Sequence, residues 1–224
     1  MASGLTCIGH FWTMLSLIAT ALIIGSVLSP EWLIGQVVVE NRHMPAYFGI
    51  YKRCNYPIFD KQARKVLLIA ECGIYESFAA MPSLYWQLSA VASFAGAALS
   101  LMLVFLLLPS MCLRDVITHG TAPIVGFFQI VAAILLSIAG VLYPFGWDNR
   151  QVRDACGEKA DRFNPGGCQI GKALVSMCVG AALLVICCLL SLCGGKRRKR
   201  RGSEMVRQDE VIRGYEQPMS STKA

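Results

Sequence analysis

Ten cysteines and three histidines are the side chains of this 224-residue chain best suited to redox or metal chemistry. A thiol oxidoreductase needs two cysteines at C-x-x-C spacing, one of them held as thiolate. No pair here has that spacing, and Cys187 and Cys188 are adjacent, so on a helix they point to different faces. His10, His43 and His119 lie in separate regions, too scattered to share one metal. There is no Gly-rich phosphate loop and no Ser/His/Asp set at motif spacing. No catalysis, cofactor or metal is therefore expected. What remains is structural chemistry: Cys54 and Cys72 fall in one polar segment, Cys156 and Cys168 in another, and each segment is bounded by apolar runs.

Those runs are the elements that must position the cysteines. They cover 8–29, 87–108, 122–143 and 170–193 and are nearly free of charge. About 20 apolar residues at 1.5 Å rise cross a hydrocarbon core of about 30 Å. Only 16% of the residues are charged, against about 25% in a soluble domain. The expected fold is a membrane all-α bundle of four transmembrane helices over 1–195, since lipid admits only helices or closed barrels and these runs lack a barrel's alternation. A signal peptide is disfavoured for the first run, which has no basic flank, is too long and ends in a poor cleavage site at Ser29-Pro30.

Direction follows from Lys196, Arg197, Arg198, Lys199, Arg200 and Arg201, immediately after the fourth run. Positive charge stays in the cytosol, and an even number of spans then puts both termini there. Loops 30–86 and 144–169 face outward at the plasma membrane, in an oxidising space that permits disulfides. Four outer cysteines allow three pairings. Cys54–Cys72 with Cys156–Cys168 is favoured because each bridge then closes within its own loop. Cys7, Cys112, Cys178, Cys187, Cys188 and Cys193 read as small apolar packing residues, with juxtamembrane Cys112 and Cys193 candidates for S-palmitoylation. The basic cluster is expected to hold anionic lipid, and 196–224 reads as a polar, disordered cytosolic tail. Its tether to a span argues against any nucleic-acid role.

In the first loop, "IGQVVVENR" (34–42), "AYFGIYKRC" (46–54) and "RKVLLIAECGIYESF" (64–78) are β-branched and aromatic runs suited to an antiparallel sheet, punctuated by Pro30, Pro45, Pro57 and Pro82. Trp32, Tyr85, Trp86, Tyr143 and Trp147 fall at outer span ends and read as an interfacial aromatic belt, with partner contact the sharper role. Pro144 is expected to end the third span, with Gly146 turning the chain. Small residues at four-residue spacing, Ala21-Gly25-Ser29, Ala92-Gly96-Ser100 and Ser176-Gly180, predict close helix packing. Gln129 is the main polar residue within a span, and without buried charge a pump or transporter is disfavoured.

"MASGLTC", "FGIYKRCNYP" (48–57), "ECGIYESF" (71–78), "LYPFGWD" (142–148) and "CGEKA…GGCQIG" (156–171) together resemble the lipoma HMGIC fusion partner-like (LHFPL) tetraspan family over about 1–195, most of all its founding subgroup. The resemblance implies a claudin-like architecture: a left-handed four-helix bundle carrying an outer antiparallel sheet, mostly from loop one with one strand from loop two, and disulfides within each loop. "FGIYKRC" is similar to the G-L-W-x-x-C signature of claudin first loops, with Trp32 as the upstream tryptophan. It makes Trp32, Phe48, Gly49, Tyr51, Tyr143 and Trp147 candidate motif and interface residues. It also implies a non-enzymatic auxiliary subunit or scaffold for another integral membrane protein (a channel, receptor or adhesion molecule). A self-associating junction protein is the alternative, with a second copy of the chain as partner.

Overall fold

The computed structural model describes residues 7–39, 42–60, 65–112 and 120–194. Helices α1 (Cys7–Leu28), α2 (Leu84–Cys112), α3 (Ala122–Phe145) and α5 (Lys172–Gly194) are the four apolar runs, each long and apolar enough to cross a membrane. α1 packs on α5, α5 on α3 and α3 on α2, and a slighter α1–α2 contact closes the ring. α2 is longer than expected because Ser83 starts it early: its side chain accepts from the Tyr85 amide at 3.2 Å and its carbonyl from the Gln87 amide at 3.1 Å. α2 also runs past Pro109, and α3 past Pro144 to Phe145, so neither proline ends its helix.

Three helix contacts are made by a glycine against a side chain opposite. Gly180 of α5 takes Ile23 of α1, Gly96 of α2 takes Leu136 of α3, and Gly126 of α3 takes Ser191 of α5. On α1 the small-residue expectation fails: Ala21 and Gly25 are exposed, and the buried face is Ala19, Ile23 and Ser26. Gln129 is buried but satisfied. It accepts from Trp12 Nε1 at 3.0 Å and donates to Ser16 Oγ at 2.7 Å, an uncharged knot between α1 and α3.

At the other end of the bundle the first loop forms strands β1 (Leu33–Val39), β2 (Arg42–Phe48), β3 (Lys52–Asp60) and β4 (Lys65–Ile74). The second loop adds β5 (Gln169–Ile170). The five-stranded sheet has the order β4-β3-β2-β1-β5, with every pairing antiparallel. The run 46–54, expected as one strand, is two. The chain turns at Gly49–Tyr51, where the Gly49 amide donates to the Lys52 carbonyl at 2.9 Å. A Cβ on Gly49 would lie 2.9 Å from Pro30 Cα, so only glycine lets the turn seat on the end of α1.

Pro45 and Pro57 lie inside strands and do not punctuate them. β2 meets β3 only at Tyr47–Cys54 and Phe48–Arg53. The register then breaks at Asn55, whose φ is 54° and whose side-chain amide donates to the Pro45 carbonyl at 2.9 Å. The break is a bulge in the β3–β4 ladder, and because no β2–β3 pair extends to Pro45, its missing amide costs no ladder bond on that side. Helix α4 (Arg150–Cys156) was not expected. Asn149 caps it, accepting from the Val152 amide at 3.0 Å, and Gly157 ends it at φ 87°.

Candidate functional site

Sheet and bundle meet in an aromatic cluster, and its residues come from every part of the chain. Trp32 follows α1 by four residues. Its indole nitrogen donates to the Ser26 carbonyl at 2.8 Å, a second and shorter bond beside the one that this carbonyl near the helix C-terminus accepts from the Ser29 amide at 3.2 Å. Its ring meets Tyr143 edge-on with centroids 5.0 Å apart. Tyr143, in the last turn of α3, reaches up and donates its hydroxyl to the Phe48 carbonyl at 2.7 Å, so the end of β2 hangs from α3. Trp86 of α2 stacks on Tyr143 at 5.1 Å and donates to the Tyr143 carbonyl at 3.1 Å. Gly146 lies so close to that indole that a Cβ there would enter the Trp86 ring. Trp147 meets Tyr143 edge-on at 6.3 Å.

These positions correct the belt expectation for Trp32, Trp86, Tyr143 and Trp147. All four are essentially inaccessible, as are Phe48 and Gly49. They are the rivets between sheet and bundle and present no side chain to a partner or to lipid headgroups. Of the motif residues Tyr51 alone is half-open, and Tyr85 of the belt is likewise partly exposed.

The two disulfides are Cys54–Cys72 and Cys156–Cys168. The first links residues directly opposite on β3 and β4. The second is buried and packs on Gly35 of β1, joining loop two to the sheet. Loop two is further held by Asp148, which accepts from Arg153 and lies 3.9 Å from Arg162. The turn Asp161–Asn164 that follows carries Phe163 at φ 58°. The Phe163 amide donates to the Pro144 carbonyl at 3.2 Å and its ring packs edge-on against Phe145 at 4.5 Å, yet the side chain is 53% exposed. Ile170 on β5 is also open, at 55%. The sequence reading missed both residues. Isolated apolar side chains in a charged loop carry no periodic signal, and only the turn makes Phe163 stand out.

Beside the first disulfide the Arg53 guanidinium lies over the Tyr56 ring at 3.8 Å and the Tyr75 ring at 5.0 Å. The Tyr75 hydroxyl is buried without a partner among the described residues. Burial pushes its pKa up to about 12, with Arg53 pulling the other way and Tyr56 adding to the rise. A phenol raised above its ordinary value of 10 costs no stability below pH 10, and the folded state loses ground as pH climbs from 10 through 12. Over that window the wild type is expected to lose about 2–3 kcal/mol that Tyr75→Phe keeps. Thermal midpoints of both proteins against pH, with phenolate absorbance followed in parallel, check this.

The remaining candidates separate. Cys193 is exposed in the last turn of α5, whereas the side chain of Cys112 and the whole of Lys196–Arg201 lie outside the described residues. Among the described residues no cluster of three His, Cys, Asp or Glu side chains could hold a metal ion.

The family model described as "Lipoma HMGIC fusion partner-like protein" matches residues 8–196. The human LHFPL tetraspan subfamily member 2 protein is 29% identical over 200 residues, covering 83% of this chain and 86% of the relative. The human subfamily member 3 protein is 24% identical, covering 92% and 82%. The mouse subfamily member 4 protein is 25% identical, covering 90% and 77%. With four apolar helices of membrane-crossing length beneath a disulfide-held antiparallel sheet, this multi-pass membrane protein belongs to the lipoma HMGIC fusion partner-like tetraspan family.

Proposed function

We propose that the chain is a non-catalytic auxiliary or scaffolding subunit of another integral membrane protein in the plasma membrane. Both termini lie in the cytosol and the sheet stands outside. The observation that carries this is the display of Phe163 and Ile170. Both are exposed and apolar, both sit on loop two beside the span ends, and both are fixed to the bundle by the Phe145 contact and the β1–β5 pairing. Exposed apolar residues on the spans are explained by lipid. An aromatic held open on a rigid turn at the sheet end is the kind of anchor a protein partner buries. The buried aromatic cluster supports the same role from inside, because it makes sheet and bundle move as one body. On the cytosolic side Lys196–Arg201 holds anionic lipid, and Cys193 in the last turn of α5 takes a palmitoyl group beside it.

The test is crosslinking and gentle-detergent co-purification from native tissue, read by mass spectrometry, with wild type and Phe163→Glu/Ile170→Glu as baits at matched surface level. A stoichiometric membrane protein whose recovery falls about tenfold or more in the variant is expected. Recovery of the chain alone in large assemblies, equally from both baits, would sink this proposal in favour of a self-associating junction protein.

A further inference from the structure

We infer that Cys54–Cys72 is a thiol-exchange site, a bridge that a protein dithiol opens at Cys72 while Cys156–Cys168 stays closed. The inference rests on the sheet standing outside the cell, the space where disulfides form and exchange. Access, position and the contacts that survive opening each support it.

Exchange begins when a thiolate reaches one sulfur of the bridge. Cys72 is exposed, whereas Cys54 is 4% accessible. Cys156 and Cys168 are both buried and belong to the core cluster that joins sheet and bundle, a cluster that contains neither Cys54 nor Cys72. Gly35 closes over the Cys168 sulfur. An incoming thiol therefore finds one bridged cysteine of the four in the open.

The bridge also stands at a branch point of the sheet. β3 pairs with β2 only at Phe48–Arg53 and Tyr47–Cys54. Beyond Cys54 the β3–β4 ladder runs on from Tyr56–Ile69 to Asp60–Lys65, and among the described residues neither strand pairs with another there. Cys54–Cys72 thus lies at the root of a two-stranded arm, where the arm leaves the sheet. Two strands alone are marginal in water.

The contacts that fix the sheet to the bundle lie on the other side of this root. The Tyr143 hydroxyl holds Phe48, and Cys156–Cys168 packs on Gly35. Below the bridge Arg53–Gly73 and Lys52–Ile74 still pair, so the two thiols stay close enough to re-form it. Above it the Asn55 side-chain amide, exposed on the Pro45 carbonyl, is the tie left at the root among the described residues. Opening therefore loosens residues 55–60 and 65–71 and spares the rest.

The chemistry is a two-step exchange. A thiolate of the dithiol attacks the Cys72 sulfur, the bond to Cys54 breaks, and Cys54 leaves as thiolate and takes a proton. The second thiol of the reductant attacks the mixed disulfide and releases Cys72 as a thiol. The bridge gains two electrons and two protons, and the dithiol becomes a disulfide.

The full-length protein in detergent, its free thiols first blocked with N-ethylmaleimide, is treated with reduced thioredoxin as the dithiol probe. New thiols are labelled with iodoacetamide and mapped by mass spectrometry. Cys54 and Cys72 are expected to open together, about tenfold or more faster than Cys156 and Cys168. Thioredoxin lacking its second cysteine is expected to be trapped on Cys72. Amide exchange should rise about tenfold in 55–60 and 65–71 on reduction, and in Cys54→Ser/Cys72→Ser without reductant, with β1, β5 and the helices unchanged. Equal rates for the two bridges, trapping on Cys54, or exchange unaltered by reduction would overturn the inference. A membrane-impermeant phosphine and maleimide on intact cells separate it from the orientation it rests on. Cys72 labelled in detergent but not on cells would refute the outward sheet, and labelled in neither would refute the exchange site.

Discussion

Replacing Trp32 with alanine is expected to lower the thermal midpoint by about 10 °C or more, the result of losing about 3–5 kcal/mol from a chain of this size. Trp32 has no accessible surface, so its removal leaves a cavity and not a wetted site. Its ring is one wall of the Tyr143 slot, and its indole N–H answers the Ser26 carbonyl. Ser26 is itself a fastener, since its hydroxyl donates to the Ala173 carbonyl of α5 at 2.6 Å. Three neighbours therefore loosen together: the end of α1, the start of β1 and the top of α5. The contrast with Trp147 tests whether the hydrogen bond matters beyond the bulk. The Trp147 indole N–H is buried without a partner among the described residues. Trp32→Phe removes the shorter of two bonds to the Ser26 carbonyl, which keeps the Ser29 amide at 3.2 Å, whereas Trp147→Phe removes a donor that has no protein acceptor, so the first should cost about 0.5–1.5 kcal/mol more. Thermal midpoints read by size-exclusion chromatography in one detergent decide it, and equal shifts for the two phenylalanine variants would refute the account.

Element type and disulfide pairing were legible because each rests on a local rule. Four runs of span length, nearly free of charge, admit few structures other than helices, and the four cysteines in the two loops between spans have short-range partners at hand. Direction of burial was a different matter. Trp32 and Trp147 lie outside the helices, where no periodicity says which way a ring points, so an aromatic at a span end looked the same whether it faced headgroups or Tyr143. On α1 the four-residue repeat pointed to Ala21 and Gly25, but the small residue that matters is Gly180 across the interface, which admits Ile23. A contact needs one small side, and the sequence of one helix does not say which side that is. The Gly49 turn was hidden in an unbroken aromatic alternation. Helix α4 was hidden by its length, since seven residues show less than two turns of period.

Breaking Cys156–Cys168 is expected to cost more than breaking Cys54–Cys72, although it closes the shorter loop, 12 residues against 18. Chain entropy alone treats the two almost alike, at about 3 kcal/mol each. Packing separates them. Cys54 and Cys72 sit opposite each other on strands whose antiparallel pairing continues on both sides of the bridge; Cys72 is exposed, so a serine there is solvated, and only Cys54, at 4% accessible, would bury a hydroxyl, one against two at the second bridge. Cys156 and Cys168 are both 6% accessible. The Cys168 sulfur fills the space over Gly35, where an added Cβ would lie 2.7 Å from it, and the Cys156 carbonyl holds the Gly167 amide at 2.7 Å. Serines there would bury two hydroxyls against apolar atoms, at about 1–3 kcal/mol for each one left unmet. The midpoint of Cys156→Ser/Cys168→Ser should therefore fall by about 10–20 °C, and that of Cys54→Ser/Cys72→Ser by about 5–10 °C. Equal losses, or a larger loss for the longer loop, would mean that the bridges act through the unfolded chain alone. The predicted order means that the second bridge is a piece of the core, because it seats α4 and β5 on β1 and so fixes the surface that carries Ile170.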